Sequence, residues 1–230
     1  METVGVIGGG QMGSQIAALS AMAGYETHVY DSDTKNLKTK IKFTEDNLVN
    51  LIDKGRYEKS KLENFKKHLH SSESIDETIN NKSFVIEAVV ERLDVKLEIF
   101  ENISKKLDKN VVLATNSSFI PASEIAKSCD HPTRFINMHF FYPPIRMDLV
   151  EISYPAETNK ETIERTQNLG KDMGRTVITC KKETPGFIVN RMLAALTDEA
   201  YQLYDEGIAC LLYTSPSPRD RTRSRMPSSA

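Results

Sequence analysis

The chain has 230 residues, 39% of them hydrophobic and 27% charged, and a formal net charge of −2. That is the composition of an ordinary globular protein with a sizeable core, and no apolar run approaches the length of a membrane span. Without the arginine-rich stretch 215–230 the remainder carries 26 basic and 31 acidic residues, which argues against general nucleic-acid binding.

Taken in chain order, Thr3–Ile7 is a short valine-rich run that reads as a buried strand and leads into glycines. Small and apolar residues from Gln11 to Ala23 predict a helix packed on a sheet, and Glu26–Tyr30 a second strand ending at Asp31. Thr34–Lys54 has helical spacing, closed by Gly55, and Glu58–Leu69 predicts a further helix. Lys35–Lys67 holds ten basic and five acidic side chains, either a solvated helical face or a patch for a polyanionic ligand. Strands follow at Phe84–Val90 and Val111–Ala114, with an amphipathic helix over Leu93–Leu107 between them. Pro121 and Ser123 precede a short helix, and Phe135–Phe140 and Leu149–Ile152 read as strands. Glu161–Met173 is helical, Thr176–Cys180 a strand, and Pro185-Gly186 starts a long helix reaching about Glu206.

This alternation predicts an α/β fold: a Rossmann-type doubly wound, mostly parallel sheet with a helical insertion, over residues 1–183. Residues 184–209 read as the start of a helical second domain, truncated, and 210–230 as a disordered, non-native tail without periodicity. The long helix presents Phe187, Ile188, Met192, Leu193, Leu196 and Leu203 as apolar positions in want of a cover. Cys129, Cys180 and Cys210 are scattered, which suggests a reducing cytosol, a cytoplasmic protein and no metal site; Cys180 reads as a buried thiol.

Gly8-Gly9-Gly10-Gln11-Met12-Gly13 supplies Gly8, Gly10 and Gly13 in the G-x-G-x-x-G spacing between a strand and a helix. Gly8 permits the tight turn, Gly10 lets the backbone approach a pyrophosphate, and Gly13 lets the helix pack close to the sheet. Amides around Gln11 and Met12, at the helix N-terminus, face the phosphates. Asp31 stands eighteen residues past Gly13 at a strand end, where a carboxylate accepts hydrogen bonds from the adenosine ribose and repels a 2′-phosphate. The expected cofactor is therefore NAD rather than NADP.

A Rossmann half does not name a reaction. Four further segments do: Thr115-Asn116-Ser117-Ser118; Arg134-Phe135-Ile136-Asn137-Met138-His139-Phe140-Phe141-Tyr142-Pro143-Pro144; Leu149-Val150-Glu151; and Thr184-Pro185-Gly186-Phe187-Ile188-Val189-Asn190-Arg191. In this order and spacing, over about Val4 to Ala209, they closely resemble the 3-hydroxyacyl-CoA dehydrogenase family. Oxidising a secondary alcohol needs a hydride acceptor and a base, and imidazole, which titrates near neutrality, serves in both directions. His139 at a strand end is the candidate general acid–base, with Glu151 as the carboxylate that orients it. His28, His68, His70 and His131 have no such setting and read as surface or packing residues.

The resemblance implies that Ser118 and Asn190 hydrogen-bond the substrate's reacting oxygen or thioester. It places Glu91 and Lys96 near the nicotinamide ribose, against the plain alternative of a surface pair at a helix start. It makes Asn116 another cofactor contact and puts Lys54 near the CoA moiety. It also implies an acyl-CoA substrate, a role in fatty-acid metabolism such as β-oxidation, and a homodimer. Tyr142 departs from the family, which has asparagine there. Two rival readings are a related β-hydroxyacid or sugar-nucleotide dehydrogenase and a non-enzymatic NAD-binding protein; the His139–Glu151 spacing with Ser118 favours the CoA class.

Overall fold

The computed structural model describes residues 2–208 and 210. The chain divides into two compact units, Met1–Phe187 and Ile188–Ala230. The expected tail beyond Cys210 lies outside the described residues.

The first unit is built on one eight-stranded sheet in the order β3-β2-β1-β4-β5-β6-β7-β8. In chain order the strands are β1 (Thr3–Ile7), β2 (Glu26–Tyr30), β3 (Leu69–Ser71), β4 (Phe84–Glu87), β5 (Val112–Thr115), β6 (Phe135–Phe140), β7 (Leu149–Ser153) and β8 (Thr176–Thr179). Every pairing is parallel except β6 with β7. The helices are α1 (Gly13–Met22), α2 (Thr34–Asp53), α3 (Lys59–His68), α4 (Ile75–Ile79), α5 (Leu93–Ser104), α6 (Ala122–Ala126) and α7 (Lys160–Asp172).

The central strands are apolar through their length because both sheet faces are covered. One face packs Val4, Val6 and Ile86 against residues of α1, α2, α3 and α7, among them Ile16, Leu48, Phe65 and Leu169. The other packs Ile7, Val85 and Leu113 against Ile79, Phe100, Ile103 and Ile125 of α4, α5 and α6. All ten residues of α1 are buried, which its run of Gly, Ser and Ala permits by letting the backbone approach the sheet. The doubly wound, mostly parallel sheet is thus the one expected. Chain order reverses at β1, whose neighbours are β2 and β4, so a crevice opens past their carboxyl ends.

Several local expectations are corrected. Leu69 ends no helix: it opens the edge strand β3, where residues 69–71 pair with β2. The five-residue α4 carries too few turns to show a period, and it was not anticipated. Ser123 lies inside α6, not before it. Glu151 sits in the middle of β7.

The long helix does not start at Pro185-Gly186. Gly186 and Phe187 both have positive φ, 73° and 49°, which an α-helix cannot contain, and Phe187 N–H closes a turn on the Thr184 carbonyl. The helix α8 of the second unit is Val189–Asp205. Phe187 is accordingly no helix-face residue; it is 2% exposed within the first unit. Ile188, Met192, Leu193 and Leu196 are exposed and Leu203 is half-buried.

Candidate active site

The glycine turn follows β1 directly. Gly8 has φ 95°, and a Cβ there would lie 2.7 Å from the Ala88 carbonyl, so the turn out of β1 is possible only for glycine beside the end of β4. A Cβ at Gly13 would meet the Gly8 carbonyl oxygen at 1.7 Å, so α1 can start this close to the turn only without a side chain. At Gly10 a Cβ would have nothing within 4 Å: its face of the turn opens into a cleft. That cleft has a volume of about 670 Å³ and runs between Gly8–Met12, Asp31 and Asn36 on one side and Ala88–Val90 on the other. A second depression, about 640 Å³, lies among Asn81, Lys82, Lys106 and Asp108 at the amino ends of β4 and β5. It has no glycine turn and no candidate catalytic residue.

Gly8, Gly10, Gln11, Met12 and Asp31 are brought together around the first cleft. Asp31 accepts the Gly9 N–H at 2.8 Å and the Asp33 N–H at 2.9 Å, so the carboxylate also braces the glycine turn. Gly9, passed over in the sequence, is tightly placed: a Cβ there would come within 2.3 Å of Leu37 Cδ1. Open space over Gly10, amides at the start of a buried helix and a carboxylate at the end of β2 fit a dinucleotide's pyrophosphate and ribose.

The candidate acid–base pair lies on β6 and β7. β6 and β7 run antiparallel with His139 directly opposite Glu151. His139 Nδ1 is 2.9 Å from Glu151 Oε2, with the two residues 3% and 0% exposed. An ionised carboxylate only accepts, so Nδ1 carries the proton donated to it and Nε2 is the nitrogen left for chemistry. The imidazole packs against the Phe141 ring, 4.6 Å between centroids, and the Phe187 ring, 5.0 Å between centroids. Phe187 was read as a helix-face residue; its packing on His139 depends on the positive-φ turn, which the sequence signals only as Pro185-Gly186.

The turn after β5 is held from both sides. Asn116 Oδ1 accepts the Phe140 N–H at 2.9 Å, and Asn137 Nδ2 donates to the Ser117 carbonyl at 3.0 Å, tying the turn to the strand of His139. Ser118 is half-buried on this turn. Opposite stands Glu91, whose Oε1 accepts from Ser117 Oγ at 2.6 Å and from the N–H groups of Ser118, Phe119 and Ile120 at 2.9, 2.9 and 3.3 Å. Burial raises the Glu91 carboxyl; the hydrogen bonds from Ser117, Phe119 and Ile120 and the charge of Lys96 outweigh it and hold the group below the ordinary carboxylate range.

Lys96 is 1% exposed, which corrects the alternative of a surface pair. Its Nζ sits 2.7 and 2.9 Å from the two oxygens of Glu87 and 3.3 Å from Glu91 Oε2. Glu87, wholly buried, also accepts from Thr115 Oγ1 at 2.6 Å and from the Val89 N–H at 2.7 Å. A buried ammonium and carboxylate persist only when their hydrogen bonds are met in this way. Glu87 was missed by sequence reasoning, although a carboxylate inside the apolar run Phe84-Val-Ile-Glu-Ala is itself a signal.

Lys54 is exposed just after α2. Asn190 is in the first turn of α8, in the second unit. Tyr142 is 53% exposed beside Phe43, Gln15 and Arg146, bordering a cavity of about 200 Å³. Among the described residues no group of three or more His, Cys, Asp or Glu is arranged to hold a metal ion, and no helix is long and apolar enough to cross a membrane.

A glycine-turn cleft at the chain-order reversal of a doubly wound sheet, with a histidine near the carboxyl end of β6 paired to a carboxylate of β7 in the same sheet, is the arrangement of a nicotinamide-dependent dehydrogenase. Residues 3–184 match the NAD-binding domain of the 3-hydroxyacyl-CoA dehydrogenases. The mitochondrial hydroxyacyl-coenzyme A dehydrogenase of Sus scrofa is 33% identical over 91% of this chain and 68% of its own length. The 3-hydroxybutyryl-CoA dehydrogenase of Clostridioides difficile is 31% identical over 89% of this chain and 72% of its own. The solved structure of (S)-3-hydroxybutyryl-CoA dehydrogenase from Ralstonia eutropha superposes with a TM-score of 0.85 at 31% identity, covering 96% of this chain and 75% of that one. The chain belongs to the 3-hydroxyacyl-CoA dehydrogenase family and is an NAD-dependent oxidoreductase.

Proposed function

We propose that the protein interconverts (S)-3-hydroxyacyl-CoA and 3-oxoacyl-CoA, with His139 as the general acid–base. The observation that carries this is the buried His139–Glu151 pair, facing across β6 and β7. Bound NAD supplies the hydride acceptor in the oxidising direction, and NADH the donor in reverse. The glycine turn and Asp31 hold the dinucleotide at the carboxyl edge of the sheet. His139 Nε2 takes the hydroxyl proton as the carbinol hydrogen leaves with the C–H electron pair and the freed O–H pair forms the C=O bond. Glu151 keeps the ring in the one tautomer that can do this and stabilises the imidazolium that results. In reduction the same nitrogen returns the proton to the carbonyl oxygen. The Phe141 and Phe187 rings keep water from the imidazole.

Ser118 is assigned to the substrate's reacting oxygen or thioester; its turn is tied to the strand of His139 through Asn116 and Asn137. Asn190 is assigned to the same oxygen, Glu91, Lys96 and Asn116 to the cofactor and Lys54 to the CoA moiety, on the family resemblance. On the same footing the protein is a cytoplasmic homodimer acting in fatty-acid metabolism, and the exposed apolar residues of α8 suit a subunit contact. The deciding experiment is NADH oxidation with acetoacetyl-CoA. Turnover that depends on His139 supports the assignment. NADH binding with no turnover on any 3-oxoacyl-CoA overturns it.

A further inference from the structure

Four donors converge on one carboxylate oxygen of Glu91: the Ser117 hydroxyl and three successive backbone N–H groups, of Ser118, Phe119 and Ile120. Successive amides turned toward one point form a concave anion site, and here the chain supplies its own anion. The second oxygen of Glu91 faces Lys96, which the fully buried Glu87 fixes in turn. Glu87 is anchored at the end of β4 by Thr115 of β5 and by the amide of Val89, which borders the cofactor cleft.

We propose that Glu91, tethered by Lys96, is a positioning residue: it shapes the Ser117–Ile120 turn and so aims Ser118 relative to His139. What Ser118 touches rests on the function proposed above; the shaping of the turn does not. Without the anion, the Ser118 and Phe119 amides and the Ser117 hydroxyl lose their acceptor, while the Ile120 N–H keeps its 2.9 Å bond to Ser117 Oγ. Asn137, Asn116 and Thr115 anchor the start of the turn, through the Ser117 carbonyl, the Asn116 side chain and the Ser117 N–H. Charge-assisted bonds to a carboxylate are stronger than neutral ones, so removing the charge alone loosens the turn. Loose placement of a substrate-binding group lowers rate without touching the acid–base pair.

Two variants test this. Glu91→Gln keeps the size and removes the charge; Glu91→Asp keeps the charge and withdraws it from the turn. Amide hydrogen exchange at Ser118 and Phe119 is expected to quicken by about tenfold or more in both, the scale of losing one charge-assisted bond. Unchanged exchange at these amides in both variants overturns the proposal, whether or not the protein proves to use acyl-CoA. With acetoacetyl-CoA at saturating NADH, Glu91→Gln should lower kcat/KM by about tenfold. Adding Glu91→Gln to Ser118→Ala should then cost little further, because the first acts through the second. Fully additive losses with the turn still protected overturn the proposal. Absence of turnover in the unaltered protein defeats the acyl-CoA assignment but leaves the exchange result decisive for Glu91.

Discussion

His139 Nδ1 and Glu151 Oε2 lie 2.9 Å apart across directly paired positions of β6 and β7, both residues nearly inaccessible to solvent. The pair is therefore set by sheet register, not by a flexible loop. His139→Gln should lower turnover on acetoacetyl-CoA by at least about 10²-fold, the low end for general acid–base catalysis, with NADH affinity little changed. Glu151→Gln should also be damaging, since it removes the imidazolium's charged partner. Steady-state rates and NADH fluorescence titration check both; near-normal turnover in either variant would remove that residue from the mechanism.

Asp31 has two tasks in the structure. Its carboxylate faces the cofactor cleft and also takes the Gly9 and Asp33 N–H groups. Wild type should bind NADH more tightly than NADPH. Asp31→Ala should lose most of that preference and bind NADH more weakly as well, because the glycine turn loses its brace. Paired Kd measurements decide; an unaltered protein that prefers NADPH would refute the reading of this strand end.

Gly10 and Gly13 separate binding from folding. Alanine at Gly13 drives a methyl into the Gly8 carbonyl, a clash only backbone movement can relieve. Overpacking of this kind costs about 1–3 kcal/mol, with roughly 2–4 °C of Tm lost per kcal/mol at this chain length. Alanine at Gly10 meets no protein atom, so it should leave Tm unchanged and weaken NADH binding alone. Thermal melts with and without NADH test the contrast; equal Tm for both apo variants would contradict it.

The cysteines should differ sharply in reactivity. Burial pushes the Cys129 thiol up to about 12, and burial with the neighbouring Glu151 charge raises Cys180. Cys210 is exposed. Near pH 8 native alkylation should label Cys210 quickly and the other two only on unfolding, since the thiolate is the reactive form. Mass spectrometry of tryptic peptides reads this directly, and fast labelling of Cys129 or Cys180 in the folded protein would count against their burial.

Much of this is legible in the sequence. The glycine spacing, Asp31 and the alternation of apolar runs with helical patterns are local, and sterics around a strand–turn–helix leave them few alternatives. His139 and Glu151 were legible as a pair only through the motif around them. Less visible were elements without a period of their own, such as α4 and β3.

The sequence by itself determined the doubly wound class and the dinucleotide turn, because each is written in neighbouring residues. Tertiary structure alone decided how Glu87, Lys96 and Glu91 divide one charge network between buried support and the Ser118 turn. It also decided that Phe187 lies outside the helix and packs on the His139 imidazole. Lys96 lies nine residues from Glu87, and Ser117 twenty-six from Glu91. A charge's meaning depends on its burial and on which donors the folded chain brings to it, and neither is a property of sequence spacing.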